Sequence, residues 1–160
     1  LCKKRGVPVI QSSVEDLSSV IARTFDGILA LWNVLGHIPT GHERLNALKQ
    51  LYLKLNKGGV FFCDINNRHN MQSYGYLKVL SRVIVDTFKF DEERGDAHYT
   101  WSINGKSYKG FGHLFTPKEA ENLFTAAGFT ISECWAVDYE SGQISHNKYR
   151  GQLLFKLEKK

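Results

Sequence analysis

Asn33, His37, Asn66, Asn67 and Arg68 are the residues best placed to do chemistry, because each stands just beyond an apolar run. Residues 25–32 (FDGILALW) are apolar without alternation after the first positions, the pattern of a strand buried on both faces in a parallel sheet. Residues 60–65 (VFFCDI) read as a second such strand. Open parallel sheets bind ligands outside the carboxyl ends of their strands. Here those ends are residues 31–37 and 64–68. Amide, imidazole and guanidinium groups there can hydrogen-bond a small polar ligand, and a neutral His37 could accept a proton from an O–H or N–H nucleophile. The same side chains also have a structural use: Asn33 and His37 can cap backbone groups, and Asn66-Asn67 can form an ordinary turn. Their convergence on one sheet edge favours a site.

The elements that must hold these residues follow from local signals. Thr40-Gly41-His42-Glu43 has the form of a capping box, and Leu45, Leu48, Leu51, Tyr52 and Leu55 recur at helical spacing behind it. Gly58-Gly59 is the expected stop. Strand, helix and strand then make a βαβ unit. Upstream, residues 7–10 read as a short strand and 15–22 as a brief helix. Downstream, residues 71–85 read as a helix with Tyr74, Leu77, Leu80 and Ile84 on one side. Segments 98–103 and 106–111 flank Asn104-Gly105, a strong hairpin signal. Thr116-Pro117-Lys118-Glu119 opens a helix burying Ala120, Leu123, Phe124 and Ala127 and ending at Gly128. Residues 129–137 and 151–157 read as final strands. The expectation is one α/β domain over residues 1–160, with a helix-plus-hairpin insertion at 67–115.

Composition bounds the function. The chain has 160 residues and a net charge of +5, with its basic residues spread along it except at the two ends. Terminal charge is cheaply solvated, so a nucleic-acid partner is not expected. No apolar run approaches the roughly 18–20 residues of a membrane span, and no basic-then-apolar leader opens the chain. Leu1 rather than Met stands first, so the expected gene product is longer. Cys2, Cys63 and Cys134 lie far apart with no C-x-x-C spacing, which points to a reducing, cytoplasmic setting and to no metal.

The order FDGILAL, then NVLGHI, an amphipathic helix, GGVFFCDIN and later FTPKEAENLFTAAGF resembles class I S-adenosylmethionine (SAM)-dependent methyltransferases over residues 7–157. Within that superfamily, FDGILALWNVLGHI is similar to the matching segment of glycine N-methyltransferase-like enzymes. Those enzymes place a carboxylate-binding arginine where Asn66 stands here; Arg68 is two positions on. The resemblance implies a Rossmann-like sheet, SAM as cofactor and methyl transfer to a small-molecule acceptor through an N or O nucleophile. Ser13 and Val14 would lie at the adenine, Leu31, Trp32 and Asn33 at the methionine end of the cofactor. His37 would face the substrate as the catalytic base, with Asn66, Asn67, Arg68 and Trp101 around the acceptor. The hairpin aromatics Tyr99, Trp101 and Tyr108 would form a lid or a homodimer contact, or else ordinary cross-strand pairs.

The family's sheet order, 3-2-1-4-5-7-6, would make this chain the source of strands 3 to 7, with the N-terminal strands 1 and 2 missing. The family's G-x-G loop after strand 1 is not among these 160 residues. Strand 3 would then lack its neighbour and leave an apolar edge; methyl transfer is accordingly expected of the full-length protein, and these 160 residues alone are expected to be inactive. Three other readings stay open: a catalytically inactive methyltransferase-like subunit or scaffold, a nucleic-acid methyltransferase, and a nicotinamide-dependent Rossmann enzyme.

Overall fold

Two capping boxes start the two helices that cover the sheet. The Thr40 hydroxyl accepts the Glu43 N–H at 3.2 Å and Glu43 Oε2 accepts the Thr40 N–H at 3.1 Å, opening α2 (Gly41–Lys54). Thr116 and Glu119 repeat the arrangement, with Pro117 in the first turn, to open α5 (Pro117–Ala126). The computed structural model describes residues 5–6 and 8–160. Cys2, Val7 and the lysines of the N-terminal basic cluster lie outside the described residues.

Helix α2 ends before Leu55, not at the glycine pair. The Lys159 ammonium takes the Tyr52 and Leu55 carbonyls at 2.9 and 2.8 Å, and the chain turns extended at Leu55. Leu55 therefore begins strand β2 (Leu55–Ile65). Gly58 and Gly59 lie inside that strand, where pairing with β1 (Phe25–Ala30) jumps from Phe25–Leu55 to Gly27–Val60. Gly58 takes a left-handed φ of 77°, the conformation such a bulge asks of glycine.

β1 runs parallel to β2, and β2 pairs antiparallel with β7 (Gln152–Glu158). β7 pairs antiparallel with β5 (Thr130–Val137), and a two-residue β6 (Ile144–Ser145), unforeseen in the polar loop, closes the far edge. The order β1-β2-β7-β5 reproduces the expected 4-5-7-6 series. The strand expected over residues 7–10 does not form in the described residues 8–10; a short 3-10 turn and α1 (Leu17–Val20) follow instead. β1 is thus the sheet edge. Its expected burial on both faces fails as well: Ala30 is enclosed, whereas Leu29, on the opposite face, is 68% exposed. Side chains alternate along a strand, and α2 and α5 cover one face only. There Ala47, Leu48, Ala120 and Phe124 pack on Phe61, Cys63, Ile65, Leu153, Phe155 and Leu157. No helix of the described residues is long and apolar enough to cross a membrane.

The insertion departs from the pattern in one respect. Residues 71–85 are not one helix but α3 (Met71–Tyr74) and α4 (Tyr76–Phe88), broken at Gly75 with φ 82° and ψ 150°. The apolar stripe expected to pack is outside: Leu77 is 80% exposed, while Val79 is fully enclosed. An ion pair sets this rotation. Asp86 Oδ2 accepts from Arg68 Nε at 2.9 Å and His69 Nε2 at 3.0 Å, so the face carrying Val79, Val83 and Asp86 turns inward. Strands β3 (Asp96–Ile103) and β4 (Lys106–His113) form the expected hairpin, with Asn104 and Gly105 both at positive φ. The Tyr99 and Trp101 rings stack at 5.0 Å across Gly110, where a Cβ would strike both.

Burial alone would raise the Asp86 carboxyl, but the hydrogen bonds from His69 and Arg68 outweigh it and hold the group below its ordinary range. Its ionised form therefore favours the folded state, and this contribution is lost only as pH falls through that depressed value. Asp86→Asn should cost about 3 kcal/mol at neutral pH, because it leaves the buried Arg68 guanidinium without its counter-ion and weakens the acceptor of the His69 ring. Urea unfolding of both proteins should show the gap closing as pH drops below about 4.

Candidate functional site

The chain leaves β1 through two consecutive left-handed residues, Trp32 (φ 69°) and Asn33 (φ 55°). Asparagine tolerates that region; tryptophan there carries strain of order 1–3 kcal/mol. Three hydrogen bonds hold the turn. The Asn33 N–H donates to Asp64 Oδ1 at 3.2 Å, its side-chain oxygen accepts the Asn66 N–H at 2.9 Å, and its amide nitrogen donates to the His113 carbonyl at 3.4 Å. Gly36 gives the Asn33 amide its room, since a Cβ at that position would run into it. The result throws the Trp32 side chain outward, 79% exposed, next to the half-exposed Leu31.

Under Trp32 lies a cavity of about 350 Å³ lined by Leu31, Trp32, Asp64, Val137, Tyr139 and Leu154. Asp64 is buried at the carboxyl end of β2, and its Oδ2 accepts the Tyr139 hydroxyl. Burial, and then this bond to the carboxylate, raise the Tyr139 hydroxyl above its ordinary range. The Trp32 and Tyr139 rings stand 5.8 Å apart at 58°. Neither Asp64 nor Tyr139 was among the expected site residues. Asp64 had a signal, as the one charge in an apolar strand; Tyr139, beyond the sheet, had none.

His37 closes the 3-10 turn Val34–His37. Its Nδ1 lies 2.9 Å from the Phe111 carbonyl of β4, an acceptor, so Nδ1 carries the proton and Nε2 of a neutral ring keeps its lone pair. Leu31, Trp32, Asn33 and Asn66 come together at the ends of β1 and β2. Asn67 and Arg68 do not join them. Asn67 is fully enclosed: its amide donates to the Lys148 and Gly151 carbonyls and its oxygen accepts the His69 N–H. Arg68 is engaged by Asp86 and the Arg94 carbonyl. Both tie the insertion to the sheet, so the substrate contacts expected of them would need those bonds broken. Trp101 lies on the hairpin against Tyr99, and Trp101 pairs across the strands with Tyr108. Ser13 precedes the 3-10 turn Val14–Asp16, and Val14 packs on the core.

Behind the site a buried polar cluster fixes the hairpin. The enclosed His113 ring meets Asp96 Oδ1 at 2.6 Å through Nδ1 and Glu119 Oε1 at 2.7 Å through Nε2. Arg44 of α2 approaches Asp96 at 3.6 Å and donates to the Ile38 and Pro39 carbonyls at 3.0 Å each. Burial lowers the Arg44 pKa, opposed by the nearby Glu119, Asp96 and Glu92 carboxylates.

No protein-family model matches the sequence, and no curated protein sequence matches it. Solved structures do. A SAM-dependent methyltransferase from Clostridium acetobutylicum superposes with a TM-score of 0.64 at 13% identity, over 98% of this chain and 67% of that one. The CcbJ methyltransferase of Streptomyces caelestis gives 0.63 at 13%, over 96% and 68%. A SAM-dependent methyltransferase of Thermotoga maritima, described as a possible histamine N-methyltransferase, gives 0.57 at 18%, over 99% and 66%. The fold is that of class I SAM-dependent methyltransferases. The chain spans about two thirds of the length of these structures.

Asn33→Ala should cost about 3 kcal/mol, since it leaves the Asn66 N–H and the His113 carbonyl without their buried partner and puts a Cβ residue without a compensating amide in the left-handed turn. Asn33→Gly, which accepts the left-handed turn, should cost less; chemical denaturation of the two variants checks the order.

Proposed function

We propose that this chain serves SAM-dependent methyl transfer to a small-molecule acceptor with an N or O nucleophile. The observation that carries the reading is the Trp32–Asn33 turn. On a methyltransferase fold, it exposes an aromatic and an aliphatic wall where β1 ends, and the chain holds it there against backbone strain. Leu31 and Trp32 suit the uncharged parts of SAM at its methionine end, Asn33 orients them, and Ser13 and Val14 are the residues for the adenine. These residues fit one side of such a cofactor. When bound, SAM supplies an activated methyl group, so the protein's task is alignment and exclusion of water.

His37 is the proton acceptor in this reading. Its Nδ1–H is anchored on the Phe111 carbonyl, which aims the free Nε2 lone pair. Asn66 is held by Asn33 through its backbone and contributes its side chain at the acceptor; Trp101 contributes from the hairpin. A methyltransferase-like subunit without its own catalysis remains the second reading and is decided by the same experiment.

Titrating SAM into the full-length protein, with calorimetry and tryptophan fluorescence, should give saturable binding that Trp32→Leu abolishes and that NADH does not reproduce. No binding would favour the scaffold reading. In a turnover assay, His37→Ala should lower the rate about 10²-fold; unchanged turnover removes the base role.

A further inference from the structure

Asp64 is a buried carboxylate with no cation. Its residue is 5% exposed, and no lysine, arginine or histidine among the described residues forms an ion pair with it. Among the described residues, the other carboxylates that are buried or nearly so have such a partner: Asp86 with Arg68 and His69, Glu119 with His113. Buried charges are ordinarily paired, because the desolvation cost is otherwise unmet. The Asn33 N–H and the Tyr139 hydroxyl each give Asp64 one neutral hydrogen bond. Neither supplies charge.

The space beside Asp64 has the chemistry of a cation's counterpart. The cavity of about 350 Å³ that it lines is otherwise apolar and aromatic. Two of its walls are the Trp32 and Tyr139 rings, 5.8 Å apart and tilted by 58°. An aromatic face attracts an organic cation, most strongly tryptophan's, and the attraction grows as water is excluded. Trp32 is held in this place by a strained backbone, and strain of that kind gathers at ligand sites. A carboxylate at the base with rings at the sides would reject a neutral alcohol of the same shape and keep an ammonium.

We propose that the Asp64–Trp32–Tyr139 cavity is an organic-cation subsite that binds the methyl acceptor as an amine, through its ammonium form. This rests on the methyl-transfer reading above and narrows its acceptor from an N or O nucleophile to an amine. Asp64 and Trp32 act here in binding; before methylation the ammonium must release one proton, to His37 in the reading above, which frees the nitrogen lone pair that takes the methyl.

The probe is benzylammonium, with benzyl alcohol as its neutral isostere, followed by ¹H–¹⁵N NMR of the tryptophan indole N–H signals of the 160-residue chain. The Trp32 signal is assigned by its loss in Trp32→Leu. Benzylammonium should shift it saturably, benzyl alcohol at least about tenfold more weakly, and Asp64→Asn should weaken the cation about tenfold or more. Asp64→Asn keeps an acceptor oxygen, and unchanged Trp101 and Trp135 signals show that it folds; Trp32→Leu, followed through Trp135 and calorimetry, should weaken benzylammonium independently. Equal binding of alcohol and ammonium, or full binding by Asp64→Asn, overturns the subsite. SAM and S-adenosylhomocysteine separate the cofactor from the acceptor. If SAM displaces benzylammonium, the cavity holds the cofactor and the acceptor assignment falls. It holds it through the sulfonium if S-adenosylhomocysteine, which lacks that charge, does not displace benzylammonium, and through the rest of the cofactor if it does. If both cofactor forms bind alongside benzylammonium, the assignment stands. If neither binds the full-length protein while benzylammonium still requires Asp64, the cation subsite stands and the methyl-transfer reading fails.

Discussion

The site depends on the Asn33 side chain being satisfied in a left-handed turn. One residue joins three parts of the chain that are far apart in sequence: the end of β1, the end of β2 through Asp64 and Asn66, and the base of the hairpin through the His113 carbonyl. Backbone in this region is unfavourable for a side chain with a Cβ, so the turn persists only because the surroundings over-determine it. Gly36 belongs to the same constraint, because the amide occupies the volume where its side chain would be.

The second anchoring device is electrostatic. His113 bridges Asp96 and Glu119, and Arg44 adds a third element to the cluster. Glu119 has two duties, since its other oxygen caps α5 through the Thr116 N–H. The hairpin, α2 and α5 are thereby locked at one place, next to the Phe111 carbonyl that orients His37. Buried charge networks are strongly destabilised when one member is removed. The position of the hairpin, and with it of His37, is therefore tied to a few polar side chains rather than to a large apolar contact.

What the fold leaves uncovered is as regular as what it buries. α2 and α5 close one face of the sheet, whereas β1 has no partner beyond it among the described residues and shows Leu29 and Leu31 to the exterior. The Trp32–Asp64–Tyr139 cavity opens at the carboxyl end of the strands, on the side the helices do not occupy. Polar residues at strand ends and apolar residues along an edge thus have different causes. The first are held by specific hydrogen bonds, and the second follow from alternation on a sheet covered on one face.

Much of the architecture was legible in the sequence because its signals are local. Both capping boxes and the Asn104-Gly105 hairpin rest on residues near one another in the chain, whereas the places of β5 and β7 in the sheet were implied by the family resemblance. Asn33, Leu31, Trp32 and Asn66 were legible as a cluster because strand ends converge wherever parallel strands pair. Tertiary structure decided the rest. Lys159, distant in sequence, holds the end of α2 at Lys54, four residues before Gly58. The Asp86 ion pair, and not hydrophobic spacing, chose which face of α4 turned inward. It also drew Arg68 away from the sheet edge, while loop carbonyls enclosed Asn67. Tyr139 met Asp64 only because β7 lies between β2 and β5. Local preferences are properties of the residues themselves; which charges pair, and which carboxylate is left without a cation, depends on neighbours that only the folded chain brings together.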